Sequence, residues 1–207
     1  MWVCGIDEAG RGALAGPLCV TAFCTKKLPN FYTNDSKKLS PKRRIQIFKQ
    51  IIQFIRENRE SSFIHITFIS NQLIDKINIL NANLYGFRIV IEEVEKKMQI
   101  KPNIIYIDGN KKPDMENYNI ISQVKADSTI KVVQIASIIA KVTRDKLMEH
   151  MHHKYPVYNF FKNKGYYDPL HAKAITDNGI SPIHRKTFTK KLLQTKLFSL
   201  ITLFLLI

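Results

Sequence analysis

The chain has 207 residues, 45% of them hydrophobic, which is ample for the buried core of one domain with at most a short appendage. Its formal net charge is +15 and its isoelectric point is about 9.7. This balance is typical of nucleic-acid-binding proteins, the alternative being a basic protein without a polyanionic partner. We expect no signal peptide, because none fits before the first motif, and the apolar ending, residues 197–207, is too short to cross a membrane alone.

The first third of the chain is predicted to form two strands, a helix and a third strand. MWVCGI and LCVTAFCT, separated by a glycine-rich turn, are rich in β-branched and aromatic residues and predict consecutive buried strands. A helix is predicted to begin at Pro41 with Ser40 as its N-cap. Its apolar residues recur at helical spacing, which leaves the basic residues on the other face. SSFIHITFI then predicts a third strand.

Helices and strands alternate in the rest of the chain. Apolar residues spaced by three and four predict an amphipathic helix: Leu80, Leu84, Phe87, Ile91, Val94 and Met98. NIIYIDGN and YNIISQVKADS predict two short strands, and a long helix follows to about His150. We therefore predict an α/β fold, a mixed β-sheet flanked by helices. The core is assigned to 1–150 and a helical C-terminal region to 151–207, with an apolar tail from about 197. Packing of this tail on the domain is favoured over an interfacial anchor or a frayed end.

Cysteine number and position indicate a reducing compartment. Cys4, Cys19 and Cys24 are an odd number and fall within the first strands. This pattern favours reduced core thiols in a cytoplasmic protein over a disulfide framework or a zinc site.

Positive charge is concentrated in two regions. Residues 37–59 hold eight Lys or Arg against one acid, and residues 141–207 hold twelve against four. The acidic residues discussed next lie outside both regions. The distribution predicts two basic surfaces flanking an acidic site, as cleavage of a phosphodiester would require.

Four acidic residues follow buried strands: Asp7 and Glu8 end the first strand, Asp108 ends NIIYID, and Asp127 follows ISQVKA. A carboxylate there costs desolvation energy unless it is paired, hydrogen-bonded or metal-bound, and active sites collect at strand ends in α/β sheets. If these strands are neighbours, the carboxylates converge and need a compensating cation. Two divalent ions about 3.5 to 4 Å apart would supply it, and oxygen ligands suit Mg²⁺ or Mn²⁺.

Single acids have simpler interpretations that the sequence leaves open. Asp108 precedes a glycine, and Asp-Gly is a common tight turn. Asp127 precedes Ser128 and could cap a turn or helix. The adjacent pair Asp7–Glu8 is harder to explain in this way, because one acid would suffice for a turn.

Seven motifs occur in an order that closely resembles the bacterial ribonuclease HII family, over residues 1 to about 190. They are GIDEAGRG, NDSKKLS, YIDGN, VKADS, ASIIAKVTRD, KGY and HRKTF. The sequence departs from the family in having Ala126 where relatives usually have glycine, in the VVQIAS start of the long helix, and in the apolar ending. The absence of a preceding domain favours ribonuclease HII over ribonuclease HIII.

The resemblance implies a ribonuclease H-like fold and a function. The expected activity is endonucleolytic cleavage of the RNA strand of RNA–DNA hybrids, including nicking on the 5′ side of single ribonucleotides in duplex DNA, with 5′-phosphate and 3′-hydroxyl products. The family's catalytic and metal-binding acids correspond to Asp7, Glu8, Asp108 and Asp127, with Mn²⁺ or Mg²⁺ as cofactor in a two-metal site. We expect a monomer without a stable protein partner and without membrane association.

The resemblance also assigns substrate contacts. Gly10, Arg11 and Gly12 correspond to the turn that reads the junction between ribonucleotide and deoxyribonucleotide, where glycines permit close approach and the 2′-hydroxyl distinguishes RNA from DNA. Tyr166 in KGY corresponds to the tyrosine that packs on the junction sugar, and its neighbour Tyr167 is a rival by position only.

Lys37 and Lys38 are predicted to contact phosphates without base specificity, although a solvated helix face explains each equally well. Two other functions stay open: a non-catalytic hybrid-binding protein, and a nuclease of the same fold with a different substrate.

Overall fold

The computed structural model describes residues 1–194 and contains a five-stranded sheet in the order β3-β2-β1-β4-β5. The strands are β1 (Val3–Ala9), β2 (Leu18–Thr25), β3 (Ser62–Ile69), β4 (Ile104–Asp108) and β5 (Ile120–Gln123). The first three strands pair antiparallel, whereas β4 runs parallel to both β1 and β5. The predicted mixed sheet is confirmed, and the carboxyl ends of β1, β4 and β5 meet at one edge.

Helices cover both faces of this sheet. They are α1 (Pro41–Glu57), α2 (Asn71–Met98), α3 (Ala126–Thr129), α4 (Lys131–Lys154), α5 (Phe160–Asn163) and α6 (Pro169–Asn178). Residues 186–194 are also helical. The Ser40 side chain accepts the Arg43 N–H, as predicted for the cap of α1. Helix α2 begins earlier than its amphipathic pattern indicated and is kinked at Asn78.

The two faces of β1 pack against different helices, because side chains alternate along a strand. Cys4 and Ile6 lie in the apolar cluster that includes residues of α2. Gly5 faces α4, where a Cβ atom would lie 2.2 Å from the carbonyl carbon of Val132. The absence of a side chain at Gly5 therefore lets the start of α4 lie directly against β1.

The C-terminal region packs against the loop between β1 and β2. A separate apolar cluster joins Leu14 and Ala15 of that loop to residues such as Tyr158 and Phe160. The boundary predicted at residue 150 falls inside α4, and the division into core and C-terminal region stays a prediction. The apolar tail from about 197 lies outside the described residues.

The prediction of three reduced cysteines is wrong for two of them. Cys4 and Cys24 face each other across the antiparallel β1–β2 pair, with Cα atoms 4.0 Å apart, and form a disulfide. Directly opposed residues of this kind have their side chains on the same face of the sheet, a proximity that a count of cysteines does not reveal. Cys19 is free and buried. Among residues 1–194, no helix has the length and apolarity required to span a membrane.

Candidate active site

Three of the four predicted acids converge at the sheet edge. Asp7 and Asp108 lie side by side because Ile6 pairs with Ile107 across the parallel β1–β4 ladder. Asp127 follows β5 and stands in the short helix α3. One carboxylate oxygen from each of Asp7, Asp108 and Asp127 lies within 4.8 Å of the other two. We call these three residues the acid cluster.

Glu8 is adjacent to the acid cluster and is not part of it. As the neighbour of Asp7 on β1, its side chain leaves the opposite face of the strand, toward Asn83 of α2. It nevertheless lines the same cavity as Asp108. Its Oε1 atom lies 3.9 Å from Nη1 of Arg11, and its Oε2 atom is buried without a hydrogen-bond partner.

Burial and the repulsion of neighbouring carboxylates raise the pKa values of Asp7, Glu8 and Asp127. Burial raises the pKa of Asp7 well above its usual range, and the neighbouring charges of Glu8 and Asp108 raise it further. Burial also raises the pKa of Glu8 to about 7, although Arg11 opposes the shift. The pKa of Asp127 is raised by burial and then by the charge of Asp108. The site is therefore short of positive charge.

Of the two predicted lysines, Lys37 contacts the acid cluster and Lys38 contacts the residue that follows Asp127. Nζ of Lys37 is 3.6 Å from Oδ2 of Asp127, and the side chain is otherwise largely exposed. Nζ of Lys38 is 3.5 Å from the hydroxyl of Ser128. Lys37 lines the cavity together with Asp108, whereas Lys38 is not among the residues that line it.

The cavity beside the acids has a volume of about 510 Å³. It brings together most of the predicted substrate contacts, and its lining includes Gly10, Arg11, Gly12, Lys37 and Tyr166. Tyr166 is half-buried and its ring lies 5.0 Å from the Arg144 guanidinium carbon, whereas Tyr167 is exposed and is not among the lining residues. The structure thus favours Tyr166 over Tyr167 as the tyrosine of this cavity.

Two buried arginines hold the Gly10–Gly12 turn and the loop that follows it. Arg144 was not singled out by the sequence analysis, whereas Arg185 belongs to the HRKTF motif. Arg144 donates to the carbonyls of Pro17, Ala15 and Lys164 at 2.9 to 3.0 Å. Arg185 donates to the carbonyls of Arg11 and Gly16, both at 3.0 Å. Neither guanidinium appears among the ion pairs of residues 1–194.

A sequence signal for one of these arginines exists. Ala140, Arg144 and Met148 recur at steps of four on the buried face of α4. An arginine at an apolar position of an amphipathic helix must satisfy its five donors internally. That pattern predicts a buried arginine that binds backbone carbonyls, which is the role that Arg144 has.

The donor set of this site fits divalent cations. All its candidate ligands are carboxylate oxygens, which Mg²⁺ and Mn²⁺ prefer. Buried Asp108 Oδ1 and Glu8 Oε2 have no hydrogen-bond partner, and a buried acceptor left in this state costs free energy. Asp7, Asp108 and Asp127 could hold a cation, with Glu8 as a further ligand on the side of Asp108.

Comparisons with known proteins agree with this geometry. The family model of ribonuclease HII matches residues 4–193. Ribonuclease HII of Borrelia duttonii is 40% identical over 90% of this chain and 98% of the relative. Ribonuclease HII of Caldicellulosiruptor saccharolyticus is 37% identical over 93% of this chain and 89% of the relative.

Solved structures show the same fold. Ribonuclease H2 from Pyrococcus horikoshii is 26% identical with a TM-score of 0.74, covering 95% of this chain and 99% of that one. Ribonuclease HIII (Bst-RNase HIII), solved in complex with Mn²⁺, has a TM-score of 0.68 at 19% identity, with coverages of 95% and 70%, and supports the fold alone. The chain belongs to the ribonuclease HII family and is a hydrolase of the ribonuclease H type.

Proposed function

We propose that this protein is a divalent-metal-dependent endonuclease that cleaves the RNA strand of RNA–DNA hybrids and nicks duplex DNA on the 5′ side of a single ribonucleotide. Water attacks the phosphorus and the bond to the preceding 3′-oxygen breaks. The ribonucleotide keeps a 5′-phosphate and the preceding nucleotide leaves with a 3′-hydroxyl. The observation that carries the proposal is that Asp108 of the acid cluster lines the same cavity as Glu8 and the Gly10–Gly12 turn.

Asp7, Glu8, Asp108 and Asp127 are proposed as the metal-binding and catalytic residues. The raised pKa values of Asp7, Glu8 and Asp127 support this role, as do the unpartnered oxygens of Glu8 and Asp108, because a buried group of carboxylates needs cations to be stable in its charged form. When bound, Mn²⁺ or Mg²⁺ in a two-metal site would activate water and neutralise charge developing on the phosphate.

The remaining lining residues are proposed to bind and select the substrate. Backbone groups of Gly10, Arg11 and Gly12 would approach the ribose closely, since Gly12 faces open space and has no side chain to block the approach. Tyr166 would pack on the sugar at the junction, and the 2′-hydroxyl would mark the ribonucleotide. Lys37 and Lys38 would contact phosphates and set the register of the duplex.

We further propose that the protein is a cytoplasmic monomer, which acts on nucleic acid without a stable protein partner and does not associate with a membrane. One structural neighbour, ribonuclease HII from Archaeoglobus fulgidus, was solved in a complex with PCNA. It is 26% identical with a TM-score of 0.66 and covers 89% of this chain and 94% of that one. A partner of this kind would be a separate addition to the activity proposed here.

The proposal is tested by nicking assays on three matched duplexes: one with a single ribonucleotide, one RNA–DNA hybrid and one of DNA alone, each with Mg²⁺ or Mn²⁺. We expect cleavage of the first two and a nick on the 5′ side of the ribonucleotide. Binding without cleavage in either metal would instead support a non-catalytic hybrid-binding protein. Equal cleavage of the DNA duplex would support a nuclease with a different substrate.

Metal binding should stabilise the fold in a pH-dependent way. Between about pH 4.5 and pH 7, folded Glu8 holds a proton that the unfolded chain has released, so the stability of the metal-free protein falls as pH rises through this window. Cations bind the deprotonated acids, so in their presence the stability of the protein should rise with pH through the same window. At 100 times the dissociation constant, binding contributes about 2.7 kcal/mol, or a rise in Tm of roughly 5 to 10 °C.

Differential scanning fluorimetry at about pH 8 and about pH 6 measures this effect, and we expect the larger shift at the higher pH. Asp7→Asn is the control, because it should stabilise the metal-free protein by relieving repulsion and should lose most of the shift. Equal shifts at both pH values, or an undiminished shift in Asp7→Asn, would contradict a carboxylate metal site.

A further inference from the structure

Two fully buried histidines form a hydrogen-bonded chain that ends at the backbone of Tyr166. Nδ1 of His171 lies 2.7 Å from the carbonyl oxygen of Tyr166, and Nε2 of His171 lies 3.0 Å from Nε2 of His184. Beyond His184, its Nδ1 atom accepts the backbone N–H of Ser181 at 2.9 Å and lies 2.7 Å from the Ser181 hydroxyl.

The partners at the two ends determine where the protons lie. The Ser181 N–H can only donate, so Nδ1 of His184 carries no proton and Nε2 of His184 carries one. Nε2 of His184 therefore donates to Nε2 of His171, which must be an unprotonated acceptor. The remaining proton of His171 is on Nδ1 and is donated to the Tyr166 carbonyl, which can only accept. Both rings are neutral, and each has one defined tautomer.

The surroundings of the pair favour neutral rings. The rings of Tyr158 and Phe160 pack against both histidines. On its own helix, His171 faces Asp168, whose carboxylate is already engaged by the first N–H groups of α6. From α2, the Asn71 amide donates to the backbone carbonyl of His184.

The direction of the pKa shifts agrees with this environment. Burial, and after it the adjacent His171, lower the pKa of His184 to about 4. Burial also lowers the pKa of His171. A proton added to His171 would place two N–H groups against each other between the Nε2 atoms, and a proton added to His184 would place its Nδ1–H against the Ser181 N–H. The chain of hydrogen bonds therefore requires the neutral pair.

The backbone around Tyr166 is also held by other hydrogen bonds. The Tyr166 N–H donates to the Asn163 carbonyl at 2.9 Å. The carbonyl of the preceding Gly165 accepts the N–H groups of Leu14 and Ala15, at 2.8 and 3.1 Å. At Gly165 a Cβ atom would lie 2.5 Å from the Ala15 carbonyl oxygen. This contact ties the KGY segment to the loop after the Gly10–Gly12 turn, and the histidine pair fixes the next carbonyl, that of Tyr166.

We propose that His171 and His184 are positioning residues which fix the Tyr166 backbone. The Tyr166 ring is thereby held in the position needed to pack on the sugar at the cleavage junction. The inference rests on the proposed function, because it supposes that Tyr166 selects the substrate. Neither histidine is among the residues that line the cavity, and the expected effect of the pair is on preference between substrates.

Two substitutions of His171 separate positioning from general stability. In His171→Asn the amide nitrogen replaces Nδ1 and keeps the donor to the Tyr166 carbonyl, whereas the link to His184 is lost. In His171→Gln the amide replaces Nε2 and keeps the link to His184, whereas the donor to Tyr166 is lost. Each variant removes one hydrogen bond from the same buried site, so a purely structural role affects both alike.

The readout is the ratio of kcat/KM for the single-ribonucleotide duplex to that for the RNA–DNA hybrid, with thermal stability measured in parallel. We expect His171→Gln to lower this ratio by roughly fivefold, the worth of one hydrogen bond, and His171→Asn to keep it near the wild-type value. Equal ratios in the two variants at equal stability would overturn the proposal.

Imidazole ¹⁵N NMR of the wild-type protein provides a measurement that needs neither substrate nor a variant that folds. It should show protons on Nδ1 of His171 and Nε2 of His184, and a proton on Nε2 of His171 would overturn the proposal. If the wild-type protein does not prefer the single-ribonucleotide duplex, the failure lies in the proposed function and not in the role of the histidine pair. The NMR result then still decides whether the pair holds Tyr166.

Discussion

Asp108→Asn is expected to reduce the rate of RNA-strand cleavage by about a thousandfold or more. Asp108 ends β4 beside Asp7, and its buried Oδ1 atom has no hydrogen-bond partner, as expected of an oxygen reserved for a cation. Asparagine has nearly the same shape but replaces a carboxylate oxygen by an amide that is uncharged. Metal catalysis contributes several kcal/mol to such a reaction, and each 1.4 kcal/mol corresponds to about tenfold in rate.

The same substitution should leave the fold intact. Removing one negative charge from a group of buried acids relieves repulsion, so the metal-free variant should be as stable as wild type or more stable. The assay compares single-turnover rates on the hybrid with binding measured separately, because hybrid affinity should change little. Asp114→Asn, in the exposed loop after β4, is the matched control and should cleave normally. A near-normal rate for Asp108→Asn would show that Asp108 serves only as a residue of the Asp-Gly turn, the other interpretation that the sequence permits.

The sequence alone predicted the elements and the candidate acids, because both depend on local pattern. Asp7 lies near the end of β1 and Asp108 is the last residue of β4, each directly after an apolar run, and a charge at such a place is visible without a structure. Their proximity depends on the parallel pairing of β1 with β4, which bridges about a hundred residues of chain. A single sequence contains no measure of that pairing. The family resemblance supplied it instead.

Pairing and side-chain direction also account for what the sequence missed. Glu8 turns away from the acid cluster because neighbours on a strand point to opposite faces. Cys4 and Cys24 meet because the antiparallel register places them opposite each other. His171 and His184 join across a loop between α6 and the last described helix. The cysteine and histidine contacts are tertiary, and no periodicity in the sequence encodes them, whereas the direction of Glu8 follows from the alternation of side chains along the predicted strand.

Gly10→Ala is expected to destabilise the fold by about 2 to 6 kcal/mol, from a strained backbone and an overpacked contact. Gly10 has a φ of +101°, a conformation that alanine adopts at a cost. Its Cβ atom would lie 2.0 Å from Nε of Arg144. Arg144 cannot give way freely, because three backbone carbonyls hold its guanidinium in the core.

Gly12→Ala is the matched control two residues further along the same turn. A Cβ atom at Gly12 would meet no other atom within 4 Å, and the residue is exposed, so denaturant unfolding should change by no more than about 0.5 kcal/mol. A loss of single-ribonucleotide cleavage in stable Gly12→Ala then reports on approach of the nucleic acid. If Gly10→Ala unfolds at the wild-type denaturant concentration, Arg144 does not fix this turn. The glycine would then be needed for the substrate alone.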